Sequence, residues 1–291
     1  MERAQALKQI ADEASRGDLV FPTNTALMLK IRQSLDDPNC SVDQAARLIQ
    51  AEPLLSARSV AVANSVVYNR MGREVADVKT AVNRIGFATM RSLVMALLTR
   101  QMAGAPSSPK QKQMADLLWE HTAHVAALSR VIAKRVTHQN PDVAFFAALV
   151  HKIGGFYMIS RAKDFPALLE IVRPVMVVTG DDDDEGQDLD VAVERDLALA
   201  VLRKLEVPTA VISGIADYWR GMLSIPAESL GDTLLLADYL SPVASPLRYS
   251  DAGSKEEDAI HIDMIAGEAL LSEILEESAD EVDSLMHSLR I

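Results

Sequence analysis

Apolar residues recur along most of the chain at steps of three and four, the spacing that gathers them on one face of an α-helix. The pattern predicts a helix over residues 23–35, then a turn at Asp37-Pro38. Ser41 with Gln44 reads as a capping box ahead of Ala45, Leu48 and Ile49. Pro53 suits the first turn of the next helix, where its missing N–H costs nothing, and Leu54, Leu55, Val60 and Ala63 follow it. Val78, Ala81, Val82 and Ile85 form another helix that Gly86 stops, and Leu93, Val94, Leu97 and Leu98 form one more. A long helix carries Met114, Leu117, Leu118, His121, Val125, Leu128 and Ile132 on one face. Asn140-Pro141 opens a helix through Phe145 and Leu149 to His151, which Gly154-Gly155 is expected to end. Asp164 and Pro166 begin a further one through Leu169 and Val172, and helices are predicted at about 189–205, 208–220, 230–241 and 260–289. There is no period-2 stretch of useful length and no internal repeat, so the fold class is all-α.

The clearest break falls at residues 104–109, where two prolines flank small flexible residues. It divides the chain into an N-terminal helical extension (1–17), a helical lobe (18–104) and a second helical lobe (105–291).

Composition agrees with packed helices: hydrophobic residues make up 49% and aromatics only 4%, so the core is built from small and aliphatic side chains. The formal net charge of −12 and the lack of a Lys/Arg stripe argue against a nucleic-acid partner, because an acidic chain repels phosphate. A single cysteine, Cys40, cannot close an internal disulfide, and a reducing cytoplasm is the expected setting. The first residues alternate charged with small apolar side chains, unlike a signal peptide. The longest uninterrupted apolar run, residues 143–150, is too short to span a bilayer. A cytoplasmic location without a membrane partner follows as the expectation.

Candidate chemistry centres on His121, on the apolar face of its helix, and His151, at a helix end. Two facing imidazoles can ligate a metal, but a buried histidine is more often held by a hydrogen bond, and the residues alone favour that plainer reading. The run from Asp181 to Glu185 lacks the alternating ligand spacing of a Ca²⁺ loop and reads as a solvated acidic segment. Asn64 is expected to tie neighbouring backbone together, His124 and His138 to be peripheral, and Cys40 to be no nucleophile. Nothing resembles a phosphate-binding glycine loop.

One constellation is more specific. Phe21-Pro22, Asp37-Pro38 with Ser41 three residues on, Glu52-Pro53, Ala63-Asn64-Ser65 followed by Tyr68, and Ala81 with Ile85-Gly86 stand in a fixed order. In this order the chain resembles the HD superfamily of metal-dependent phosphohydrolases, and more closely its HDOD branch, over about residues 18–285. The resemblance implies a helical N-terminal lobe packed on a degenerate HD-like helical lobe. It aligns His121 with the first histidine of an HD site, His151 with the second, and Asp238 with the late aspartate. Where the metal-bridging aspartate belongs, this chain has Lys152; where paired histidines are common, it has Asp217-Tyr218-Trp219; and a further histidine position falls near Glu194. An ammonium brings a positive charge and no lone pair, so it repels a divalent ion and cannot ligate it. Lys152 could swing away and reach solvent, but the coordination number would still fall short.

His121, His151, Lys152 and Asp238 therefore read as a vestigial HD-type site with no catalytic residue. No cofactor and no metal are expected; a metal, if bound, would fall to His121, His151 and Asp238. The resemblance implies a non-catalytic signal-transduction or regulatory module acting through contact with a signalling protein partner or by sensing a small ligand. The alternative is a metal-dependent phosphohydrolase acting on a nucleotide or cyclic nucleotide, and a third reading is a scaffold whose helices only present a surface.

Overall fold

Helix starts are fixed by side chains that capture otherwise unpaired backbone N–H groups. Ser41 Oγ accepts from Gln44 N at 3.2 Å, the Glu52 carboxylate caps Leu55 N beside Pro53, and Asn140 Oδ1 accepts from Asp142 N and Val143 N. Ser229 and Asp232 cap each other's backbone in a full capping box. The computed structural model describes residues 3–19, 25–169, 185–205, 207–247, 273, 275–277 and 279–289. Phe21-Pro22, Val172, the acidic residues Asp181 to Asp184 and most of the helix expected from 260 lie outside them.

Among the described residues the structure is helical, with no strand. The helices are α1 (Arg3–Ser15), α2 (Thr25–Asp36), α3 (Val42–Gln50), α4 (Pro53–Asn64), α5 (Val78–Gln101), α6 (Pro109–Arg135), α7 (Pro141–Val150) and α8 (Ile153–Arg161). A 3₁₀ turn (Pro166–Leu169) follows, then α9 (Glu185–Lys204), α10 (Thr209–Arg220), α11 (Leu230–Leu240) and α12 (Ala279–Leu289). Pro166–Leu169 forms a 3₁₀ turn, and the rest of the helix expected there lies outside the described residues. Gly86 breaks the helical path of α5 at φ 75°, and the chain resumes the helix at once.

α5 packs on α2, α3 and α4 on one side and on α7 and α8 on the other, so one hydrophobic core runs through both lobes. The α5–α6 connection is pinned: Gln111 Oε1 accepts from Ser107 N and Ser107 Oγ, while Gln111 Nε2 donates to Ile159 O at 2.7 Å. α1 packs against α9, far along the chain, and is tied to α8 and the 3₁₀ turn as well: the Arg161 guanidinium pairs with Glu13, and Arg3 Nη1 donates to Leu168 O. α12 lies on both α6 and α4, and Ser284 Oγ accepts from Val66 N. By length and composition Val78–Gln101 and Pro141–Arg161 could cross a membrane; α7 and α8 together make a longer apolar stretch than the run at 143–150 alone. Most of each is buried against other helices, as in a core.

Gly154-Gly155 does not end a helix. α7 stops at Val150, His151 and Lys152 form a turn, and α8 starts at Ile153 with both glycines in its first turn. Their role is close approach: a Cβ on Gly154 would stand 2.5 Å from Glu194 O and 2.7 Å from Ala198 N, both backbone atoms of α9. Backbone cannot swing aside as a side chain can, so Gly154→Ala must push α8 off α9. A loss of about 1–3 kcal/mol is expected, read from the urea midpoint; a loss within about 0.5 kcal/mol, the range of neutral surface changes, would show that the two helices are not tightly set.

Candidate functional site

Four segments meet at one buried cluster. α6 supplies His121, the turn between α7 and α8 supplies His151 and Lys152, α10 supplies Tyr218 and Trp219, and α11 supplies Asp238. The last two helices pack closely because glycines face side chains across them: a Cβ on Gly214 would lie 2.5 Å from Leu230, and one on Gly231 2.7 Å from the Asp217 Cβ. That approach carries Tyr218 to Asp238, where the phenol donates to Oδ2 at 2.7 Å.

The structure brings all four sequence-derived site residues together. His121 Nε2 lies 3.2 Å from Asp238 Oδ1, and the rings of His121 and His151 are 6.0 Å apart, centre to centre. His121 Nδ1 lies 2.8 Å from Val243 O and His151 Nδ1 2.5 Å from Ala148 O. A carbonyl only accepts, so each Nδ1 carries the proton and each Nε2 faces the cluster. His151 Nε2 is buried without a hydrogen-bond partner.

Lys152 does not reach out to solvent. It is 6% exposed, and its ammonium sits over the Trp219 ring at 4.4 Å and the Tyr218 ring at 5.3 Å from their centres. A desolvated cation over an indole face is a favourable pairing. Tyr218 also stands edge-on to His151, 5.2 Å between ring centres. The sequence marks Tyr218 and Trp219 only as departures from an expected histidine pair; their part in seating Lys152 shows in three dimensions alone.

The electrostatics follow from this arrangement. Burial drives the His151 imidazole down to about 3, and the charge of Lys152 pushes the same way, so His151 is neutral at ordinary pH. Burial raises Asp238, but the Lys152 charge, the two histidines and the Tyr218 hydroxyl together outweigh it and hold the carboxyl at about 2. An ionised carboxylate and an ammonium thus share one buried region, the ammonium seated on the Trp219 and Tyr218 rings.

The other candidates stand elsewhere. Glu194 is 2% exposed and sits against Gly155 of α8, within 2.9 Å of where a Cβ there would be. Asn64 does tie backbone together, donating to Val75 O and accepting from Val75 N, both at 2.8 Å. His138 is exposed at φ 52° and His124 is half-buried. Cys40 is buried, and burial raises its thiol, which opposes thiolate formation.

Comparison with protein families matches the HDOD domain over residues 21–175, more than half of the chain. The chain belongs to the HDOD family. The match takes in His121, His151 and Lys152 and stops before Tyr218, Trp219 and Asp238. Among solved structures this HDOD chain is similar to a protein of Shewanella amazonensis SB2B provisionally named a metal-dependent phosphohydrolase, at 20% identity and TM-score 0.72 over 98% of each chain. It is also similar to an HDOD domain protein of unknown function from Geobacter sulfurreducens, at 16% identity and TM-score 0.59 over 99% of this chain and 98% of that one. A protein of Marinobacter aquaeolei VT8, provisionally named for signal transduction, matches at 16% identity and TM-score 0.61 over 100% of this chain and 67% of that one. At such identities the likeness establishes the shared fold. Curated proteins give no match.

The residues of this HDOD cluster do not fit the divalent ion of the HD superfamily. His121 Nε2 is against Asp238, one Asp238 oxygen holds the Tyr218 hydroxyl, and an ammonium stands beside His151. Among the described residues no group of three or more His, Cys, Asp and Glu is arranged to hold a metal.

Proposed function

We propose that this HDOD protein is a non-catalytic regulatory module of signal transduction, working in the cytoplasm through contact with a signalling protein or by sensing a small ligand. One observation carries the reading: the ammonium of Lys152 is buried in the cluster on an aromatic seat. Metal-assisted phosphoester hydrolysis needs a cation with open coordination positions and a water activated on it. An ammonium offers neither. The provisional signalling name of the Marinobacter relative agrees with this reading, and its likeness to this chain is one of fold.

The phosphohydrolase alternative keeps one point in its favour, the inward-facing Nε2 atoms of both histidines. Hydrolysis of nucleotides, cyclic nucleotides and a generic phosphoester, assayed with Mn²⁺, Mg²⁺, Fe²⁺ or Zn²⁺, decides between them. The expected rate equals that of a His151→Ala variant. Metal-dependent turnover that His151→Ala abolishes would sink the regulatory reading. Capture of a signalling partner by the intact protein, retained in Lys152→Met, would favour protein contact over ligand sensing in the cluster.

A further inference from the structure

We infer that the surface of α4 and α6 beneath α12 is a docking site for an acidic amphipathic helix of a signalling partner, and that α12 is its built-in occupant, released when the partner's helix takes its place. The partner rests on the regulatory reading above; the surface and its occupant do not.

α12 has the build of a helical ligand. Asp280, Glu281 and Asp283 lie in its first half, and no Lys or Arg occurs between 279 and 289. Leu285 and Met286 are buried and Val282 is half-buried, three apolar side chains at helical spacing that make one stripe. The helix lies across α4, which precedes the break at 104–109, and α6, which follows it, so any occupant touches both parts of the fold. The surface answers it in charge: Arg135 Nη1 is 2.8 Å from the carboxylate of Glu277, just ahead of α12, and Arg130 Nε is 3.9 Å from that of Glu281.

The basic side of this surface does not depend on α12. Arg130 pairs with Asp142 of α7 and lies over the Tyr68 ring, 5.3 Å from its centre, and the Tyr68 hydroxyl is 3.1 Å from Thr89 Oγ1 of α5. Those contacts keep the guanidinium in place when α12 leaves, and a surface already in shape spares an incoming helix the cost of ordering it. The ties of α12 are lighter. Its charge pairs are solvent-exposed or widely spaced, which makes each worth little, and Ser284 Oγ accepts from Val66 N at the rim. Val66 itself and Met71 on the same loop are exposed, apolar surface that α12 leaves uncovered and a longer helix can take.

The test uses the full chain. Hydrogen exchange on wild type reads the release: α12 amides are expected to exchange at least about 100-fold faster than those in the middle of α6. Leu285→Asp puts a charge into the apolar stripe and is expected to empty the surface. A fluorescent peptide of residues 273–291 is the probe, followed by anisotropy. It should bind Leu285→Asp at least about tenfold more tightly than wild type. Adding Arg135→Glu to that variant should weaken the probe about threefold, and high salt should remove the difference. α12 amides as slow as those of α6 would overturn the inference. So would a folded Leu285→Asp protein that binds the probe no better than wild type, or binding indifferent to Arg135→Glu. Loss of the whole fold in Leu285→Asp would place α12 in the cooperative core and overturn it too. Metal-dependent turnover that His151→Ala abolishes strikes the regulatory reading and leaves the exchange and probe results standing; their failure, in turn, leaves the regulatory reading intact.

Discussion

Asp238→Ala is expected to lower the unfolding free energy by about 1–3 kcal/mol, the usual cost of leaving a buried hydrogen-bond donor without its acceptor. The carboxylate accepts from the Tyr218 hydroxyl at 2.7 Å and lies 3.2 Å from His121 Nε2, and the charge of Lys152 acts on it through the same buried region. Truncation leaves a buried cation with only aromatic faces for company and a phenol without its acceptor. The double variant Lys152→Met with Asp238→Ala tests the part played by that charge, because it removes the cation together with the carboxylate. It should be more stable than Asp238→Ala alone, since neutral side chains of matching volume tolerate such a site better than a lone ion. Urea denaturation of the four proteins in the cycle measures the coupling. Additive losses would mean that Lys152 and Asp238 do not sense each other.

Much of this fold can be read from the chain because its signals are local. Ser41, Pro53 and Asn140 announce helix starts through the backbone groups they satisfy or spare, and each stands at a helix start in the structure. Gly86 is a break in either view. Gly154-Gly155 misleads because glycine serves two purposes, ending a helix or letting another backbone come close, and only the arrival of α9, some forty residues later in the chain, selects the second. The docking of α1 is likewise a long-range event: Glu13 meets Arg161 of α8, and apolar faces of α1 and α9 come together that local spacing cannot pair.

The site divides in the same way. His121, His151 and Asp238 are legible through the family resemblance, and the structure brings them together. The fate of Lys152 is not legible, because a lysine has the reach either to leave for water or to stay. Staying requires a partner for the charge and a surface for the stem, and those come from α10 and α11. Tyr218 and Trp219 look in sequence like the loss of a histidine pair; in space they are the seat that makes a buried lysine tolerable. Lys152, Tyr218 and Trp219 thus form one packed group.

His151 makes stability sensitive to mild acid. Its folded value of about 3 lies below the ordinary 6.5, so the native state refuses a proton that the unfolded chain accepts. The stabilisation is therefore complete above pH 6.5 and drains away as pH falls from there towards 3. At about 1.4 kcal/mol per pH unit, roughly 2 kcal/mol is gone by pH 5, and full titration amounts to about 5 kcal/mol. Asp238 is displaced in the same direction but over a lower window, between its ordinary 3.8 and about 2, so the two effects separate along the pH axis. His151→Gln, which keeps a polar side chain and removes the titration, is expected to be less stable than wild type at pH 7.5 and to show a flatter profile between pH 6.5 and 4.5. Urea midpoints across that range give the slopes. Parallel profiles for the two proteins would show that His151 is protonated as easily in the folded state as in the unfolded one, and that the cluster is open to water.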